Sequence, residues 1–274
     1  VFSWRAPGWG DERMIASPPR RANEGNRRSL LGSCRSGCDD PAMRLQLLSD
    51  LHLESEPWTP EAAPGAEVLV LAGDIDATWA GLSLFQGWPV PVWLVPGNHE
   101  YDGRDLDEAL PALRARAEAL GIRVLERERL LWRGADGRTV RVLGTTRWCD
   151  FDVFGAAQRE RAMRAGEYFA RVQRSTRGGQ VFDAAAVRAE AQVCRDWLTR
   201  ELADPARGRW DATLVITHFA PSLRSADPRY GRQPGTASFC NDDEDLLQRA
   251  DVWLHGHVHC RDRKSTRLNS SHSQ

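Results

Sequence analysis

Six of the seven histidines in this 274-residue chain fall at or just beyond the ends of short apolar runs. Read in order, the polar groups there are Asp50-x-His52, Gly73-Asp74, Gly97-Asn98-His99-Glu100, His218-Phe219 and Gly256-His257-x-His259, with His255 just before the last group and His272 standing apart. Imidazole, carboxylate and amide oxygen suit borderline divalent cations such as Mn, Fe or Zn. The absence of thiolates among them argues against a structural cysteine zinc site. Asp50 and His52 are one residue apart, as are His257 and His259, so each pair can face a single cavity. His255 shares that alternation, and period alone does not choose between the three. Glycines 73, 97 and 256 precede ligand types where the backbone must turn sharply or approach another group closely.

Elements that deliver side chains to one rim must stand behind such a pattern. Val68–Leu71 is four apolar residues stepping into Gly73-Asp74, which reads as a strand buried on both faces that carries Asp74 to the carboxyl edge of a sheet. Binding sites in open α/β sheets collect at that edge. Leu45–Ser49, Val92–Val95, Thr213–Thr217 and Val252–Leu254 repeat the design, and Ile122–Leu125 is a further strand. A hairpin over Leu130–Trp132 and Val140–Leu143, with glycine at its turn, brings antiparallel pairing into a chain of parallel units. A mixed sheet, or two sheets face to face, follows. Helices are predicted at Ala77–Gly87, over Leu106–Leu120 with Pro111 obscuring the start, after an N-cap at Asp183, and over Asp242–Ala250. Thr146–Gln180, rich in arginine and aromatics, admits a mobile lid that holds an anionic substrate or an amphipathic helix with a solvated basic face. Interleaved Glu160 and Glu167 favour the helix.

Composition narrows the classes. A formal net charge of -1 gives no general attraction to nucleic acid or an acidic membrane. No apolar run approaches the roughly 18–20 residues of a membrane span, and the start lacks a secretion signal; a soluble, cytoplasmic protein is expected. Six scattered cysteines are expected to be reduced; Cys34-x-x-x-Cys38 lacks the second ligand pair of a metal knuckle. Lys264 is the single lysine among 37 Lys and Arg, a bias that points to GC-rich coding. It opens K-S-T-R-L-N-S-S-H-S-Q, so 264–274 is expected to be a non-native tail, with the native C-terminus missing. Residues 1–42 show little periodicity and are expected to be a disordered or non-native extension. One domain then spans 43–263, open to truncation at its end.

Together, Asp50-x-His52, Gly73-Asp74, Gly97-Asn98-His99-Glu100, His218 and Gly256-His257-x-His259 resemble the five-motif signature of the calcineurin-like metallophosphoesterase superfamily, over about 43–260. The resemblance implies an α/β fold, a four-layer α/β/β/α sandwich with two mixed β-sheets flanked by helices and a dinuclear metal site at the strand C-terminal rim. It implies that Asp50, His52 and His259 hold one divalent ion, that Asn98, His218 and His257 hold a second, and that Asp74 bridges them. His99 would be catalytic, as proton donor to the leaving group, with Asp50 as partner for its ring; Glu100 would be a hydrogen-bond partner and His255 a packing or supporting residue. Two dications about 3.5–4 Å apart repel, acidify a shared water and clamp phosphoryl oxygens during in-line attack, so a carboxylate between them is the group most needed. The implied activity is hydrolysis of a phosphomonoester or phosphodiester, with a small-molecule or nucleotide substrate and no membrane partner. A nuclease of the same superfamily and a non-catalytic metal-binding scaffold are the alternatives. The chain departs from many relatives in having Phe219 where a second histidine follows the first, and in changing character at about Arg263, which could leave the strand before His257 without a neighbour.

Overall fold

In a computed structural model, residues 2–4, 43–55, 58–204, 209–259 and 265–266 are described, without side chains at 2–4 and 265–266. The expectations for the bulk of 1–42, the Cys34–Cys38 spacing and most of 264–274 lie outside these residues.

Two five-stranded sheets carry the domain. In the first, β2 (Met43–Leu48), β3 (Val68–Leu71), β4 (Val92–Leu94) and β5 (Ile122–Val124) run parallel, and β1 (Phe2–Trp4) pairs antiparallel with β2. In the second, β7 (Thr139–Thr145), β10 (Ala212–Thr217) and β11 (Val252–Leu254) are parallel. There β6 (Glu128–Arg133) forms the antiparallel hairpin with β7, and β12 (Ser265–Thr266) flanks β11 antiparallel. The strand before His257 therefore has neighbours on both sides. A short ribbon, β8 (Thr176–Arg177) with β9 (Gln180–Val181), lies apart from both sheets.

Period-two alternation explains how the layers pack. Val68 and Val70 of β3, Trp93 of β4, Val140 and Val142 of β7 and Leu214 and Ile216 of β10 share one apolar cluster, so the two sheets bury a face against each other. Leu69 and Leu71, one residue out of phase, join Leu113 and Ala117 of helix α1 (Leu106–Ala119). Leu143, Val215 and Trp253 do the same with Leu198 and Leu202 of α3 (Ala184–Leu202) and with Leu246 and Leu247 of α4 (Glu244–Leu247). Helix α1 is capped by Asp105, which accepts from Asp107 N, and so starts before Pro111 and carries it in its interior. Asp183 caps α3 as predicted, accepting from Ala186 N. Two helical predictions shrink: 77–87 contains only a 3-10 turn at Ala80–Phe85, and 242–250 only the four residues of α4. Helix α2 (Arg159–Gln173) buries Ala162, Gly166 and Ala170 and exposes Arg161, Arg164 and Arg171, the solvated basic face. Among the described residues no helix is long and apolar enough to cross a membrane.

Candidate metal centre

Register aligns the ends of the parallel strands. Leu48, Leu71 and Leu94 are paired across the first sheet and Ile216 with Leu254 across the second, so Asp50, Asp74, Asn98, His218 and His257 all leave at one rim. The exits keep bonding after the strands stop: Asp50 N donates to Gly73 O at 3.0 Å, His52 N to Asp74 O at 3.1 Å and Gly256 N to His218 O at 3.0 Å. Holding these side chains together strains the backbone. Asp50, His52, Asp74, His257 and His259 have φ of 54°, 46°, 53°, 66° and 50°, left-handed values that cost non-glycine residues about 1–3 kcal/mol each. The alternation at both dyads is thus achieved through turns, with Leu51 and Val258 between. Gly73 combines φ +84° with a position where a Cβ would lie 2.6 Å from Gly97 N, and a Cβ at Gly256 would lie 2.6 Å from Ala72 O.

Hydrogen bonds on the far side of each ring fix which nitrogen faces the centre. His218 Nδ1 donates to Ala72 O at 2.8 Å, which turns Nε2 to the centre. His257 Nε2 donates to Ser238 O at 3.1 Å, leaving Nδ1 bare. These two inward nitrogens stand 3.1 Å apart, and His218 Nε2 is 3.2 Å from Asn98 Oδ1 and 3.1 Å from Asp74 Oδ2. Asp74 Oδ2 is buried without a hydrogen-bond partner. His52 Nδ1 meets Glu54 Oε1 at 3.1 Å and its Nε2 is likewise orphaned. Asp74 Oδ2, Asn98 Oδ1 and His257 Nδ1 thus converge on His218 Nε2, more acceptors than one ring proton can satisfy, and a buried acceptor left without a partner, as Asp74 Oδ2 is, costs about 1–3 kcal/mol. The donor set therefore fits a divalent cation.

The electrostatics agree. Burial would raise the Asp74 carboxyl, but the charges of His218, His99 and His257 hold it far below the usual range. Burial would lower His218, yet Asp74 lifts it to about 9, so a proton takes the cation's place in the protein alone. Burial and the neighbouring His218 push His257 down to about 3, and burial lowers His259. His52 and His259 stack with ring centroids 5.2 Å apart, and His259 Nε2 lies 3.7 Å from Asp50 Oδ1. Asp50 also accepts from His257 N at 2.8 Å and from Ser49 Oγ at 2.6 Å.

One expectation needs correction. The His99 ring takes Asp102, not Asp50, as its partner: Nδ1 is 2.6 Å from Asp102 Oδ2. The reason is local, because His99–Tyr101 is a 3-10 turn that sets residues three apart side by side, while Asp50 serves His257 and Ser49. Burial would lower His99, but Asp102 and Asp74 raise it to about 9. Its side chain is within 4.8 Å of His52 and Asp74 ligand atoms, and its backbone N donates to Asp74 Oδ1 at 2.9 Å. Glu100 does act as a hydrogen-bond partner, accepting from Asp74 N, Ile75 N and Gly97 N at 2.9, 2.8 and 2.6 Å and so bracing two rim turns. His255 faces away, with Nε2 3.0 Å from Ser225 Oγ. Phe219 fills the place of a second histidine as packing, its ring 4.1 Å from that of His257. Glu54, Asp102 and Ser238 support the site without any sequence signal except that Glu54 and Asp102 lie two and three residues after the histidines they hold.

Comparisons with known proteins bear on this rim. The fold is shared with a phosphopantetheinyl hydrolase (PptH) from Mycobacterium tuberculosis, 19% identical, with a TM-score of 0.58 over 79% of this chain and 83% of that one. A putative 5'-nucleotidase from Staphylococcus aureus, solved in complex with alpha-ketoglutarate, is 14% identical, with a TM-score of 0.43 over 78% of this chain and 45% of that one. No curated protein matches. Residues 43–261, which contain the whole rim, match the calcineurin-like phosphoesterase family, and the chain belongs to that family of phosphoric ester hydrolases.

Proposed function

We propose that this protein hydrolyses a small phosphomonoester or phosphodiester at a dinuclear centre, Asp50, His52 and His259 holding one divalent cation, Asn98, His218 and His257 the other, and Asp74 both. The observation that carries the reading is the convergence of three acceptors, Asp74 Oδ2, Asn98 Oδ1 and His257 Nδ1, within 3.1–3.2 Å of His218 Nε2. Bound divalent cations supply Lewis acidity there, acidifying water and neutralising charge on phosphoryl oxygens; the oxygen and imidazole donors suit Mn, Fe or Zn. The rest is done by the chain. Asp74 lies low enough to stay ionised at any working pH. Ala72 O and Ser238 O hold His218 and His257 in the tautomers that offer the inward nitrogens. Asp102, against its Nδ1 at 2.6 Å, favours the protonated form of the His99 ring. With Nδ1 committed to Asp102, its Nε2 is the atom that gives a proton to the departing oxygen. The reading includes the four-layer α/β/β/α order, supported by the three apolar clusters between sheet and sheet and between sheets and helices.

The test is hydrolysis of p-nitrophenyl phosphate and bis-p-nitrophenyl phosphate by protein reconstituted with manganese, beside its metal content. Turnover of either ester that disappears with chelator and returns with metal is the expected result. Metal-loaded protein inert on both would leave the scaffold alternative standing.

A further inference from the structure

A cavity of about 370 Å³ is lined by His257 and His259 of the rim together with Phe169, Asp227, Tyr230 and Phe239. That volume is in the range that accepts a small organic ligand. Its aromatics come from separate elements: Phe169 from α2, Tyr230 from the loop after β10, and Phe239 from the end of the 3-10 turn Pro234–Ser238. Phe169 and Phe239 meet edge to face, centroids 5.5 Å apart at 84°, and Phe239 lies over His257 at 4.9 Å and 30°. The aromatic wall is therefore continuous with an imidazole of the candidate centre. Tyr230 is 63% exposed and Phe169 37%, a large apolar surface left open to water beside a polar site. The carboxylate of Asp227 is answered by Arg229, whose Nε donates to it at 2.8 Å. The walls thus present aromatic rings beside the polar Gln233 and Thr236, and the Arg229 guanidinium, over the Tyr230 ring at 5.6 Å, is already paired with Asp227, which does not suit a second phosphate.

From this geometry we infer that the cavity is the specificity pocket of the phosphoesterase read above and takes an uncharged flat ring, aryl or nucleobase, on the organic part of the substrate. Aromatic pairs add about 0.5–1.5 kcal/mol beyond their area. A ring seated among Phe169, Tyr230 and Phe239 is therefore held more firmly than an alkyl chain of similar bulk.

Calorimetric binding of three phosphonates, phenyl, hexyl and methyl, separates the possibilities without turnover. Wild-type protein is expected to prefer phenylphosphonate over methylphosphonate by about tenfold or more. That preference should fall to about threefold or less in Tyr230→Ala and in Phe169→Ala, and return in Tyr230→Phe. Metal content measured on each variant shows whether the centre is intact. Hexylphosphonate binding as tightly as phenylphosphonate would overturn the ring class, and equal binding of phenyl and methyl would overturn the pocket. If no phosphonate binds the metal-loaded protein and no ester is hydrolysed, the phosphoesterase reading fails and takes this one with it; intact hydrolysis with no ring preference defeats the pocket alone.

Discussion

Among the described residues two fully buried clusters bring three metal-type ligands within 4.8 Å, Asp74 with His218 and His257, and Glu126 with Glu190 and Cys194. Their chemistry is opposite. In the second cluster the cation is built in: Arg127 Nη1 bonds Glu190 and stands 3.6 Å from Glu126 Oε1 and 3.9 Å from Cys194 Sγ. Glu126 is further satisfied by Thr145 Oγ1, Thr146 N and Thr146 Oγ1 at 2.9, 2.6 and 2.6 Å. Burial, Glu126 and Glu190 push the Cys194 thiol up to about 12, so it stays protonated and is a poor ligand. At the rim the charge facing Asp74 is a proton on imidazole, His218 Nε2 at 3.1 Å, which a cation can displace, whereas a guanidinium cannot be displaced. Ligand types within reach of one another do not by themselves make a metal site; the rim differs from the second cluster in that the charge facing its carboxylate is an exchangeable proton.

The contrast can be broken most sharply by mutation. Asp74→Asn or His257→Ala should cost about 10³-fold or more in activity together with bound metal, whereas Cys194→Ala should retain both; equal metal loss in all three would erase the distinction. His99→Ala should keep its metal and lose about 10²-fold on esters with poor leaving groups, less on p-nitrophenyl phosphate. Activity and metal content measured side by side decide it, and full activity on an unactivated ester would rule out proton donation by His99.

The compensated cluster should instead respond in stability. Arg127→Met leaves buried carboxylates unanswered and should cost about 2 kcal/mol in thermal or urea unfolding, with metal content unchanged. Burial raises the Glu126 carboxyl, so the folded state binds its proton more tightly than the unfolded one. That contribution is complete below the ordinary carboxyl range and is lost as pH rises through the raised folded value. The destabilisation of Arg127→Met should therefore be smaller at about pH 5 than at about pH 8; the reverse order would mean that Glu126 is not the uncompensated group.

What could be read from residues alone divides along the same line. The rim is legible because each candidate ligand follows an apolar strand and small residues, a pattern set by local sterics and the need to reach one edge. Register did the rest, aligning Leu48 with Leu71 and Leu94. The supporting groups were not legible, because a backbone carbonyl such as Ser238 O has no residue type to betray it. Asp102 was hidden by the competing claim of Asp50, and only the 3-10 turn at His99–Tyr101 settles between them. The aromatic pocket joins Phe169 and Phe239 across 70 positions of chain, a meeting created by packing of α2 against the Pro234–Ser238 turn rather than by local spacing. Proline misled at α1, where Pro111 stands inside a helix whose cap at Asp105 lies earlier.

The rim is proposed to exchange the proton on His218 for divalent cations, and metal stoichiometry by equilibrium dialysis against manganese measures this most directly. Wild-type protein and Cys194→Ala should each bind about two ions per chain, and Asp74→Asn about one or none. Wild-type protein that binds none, or an Asp74→Asn variant that binds as many ions as wild type, would contradict it.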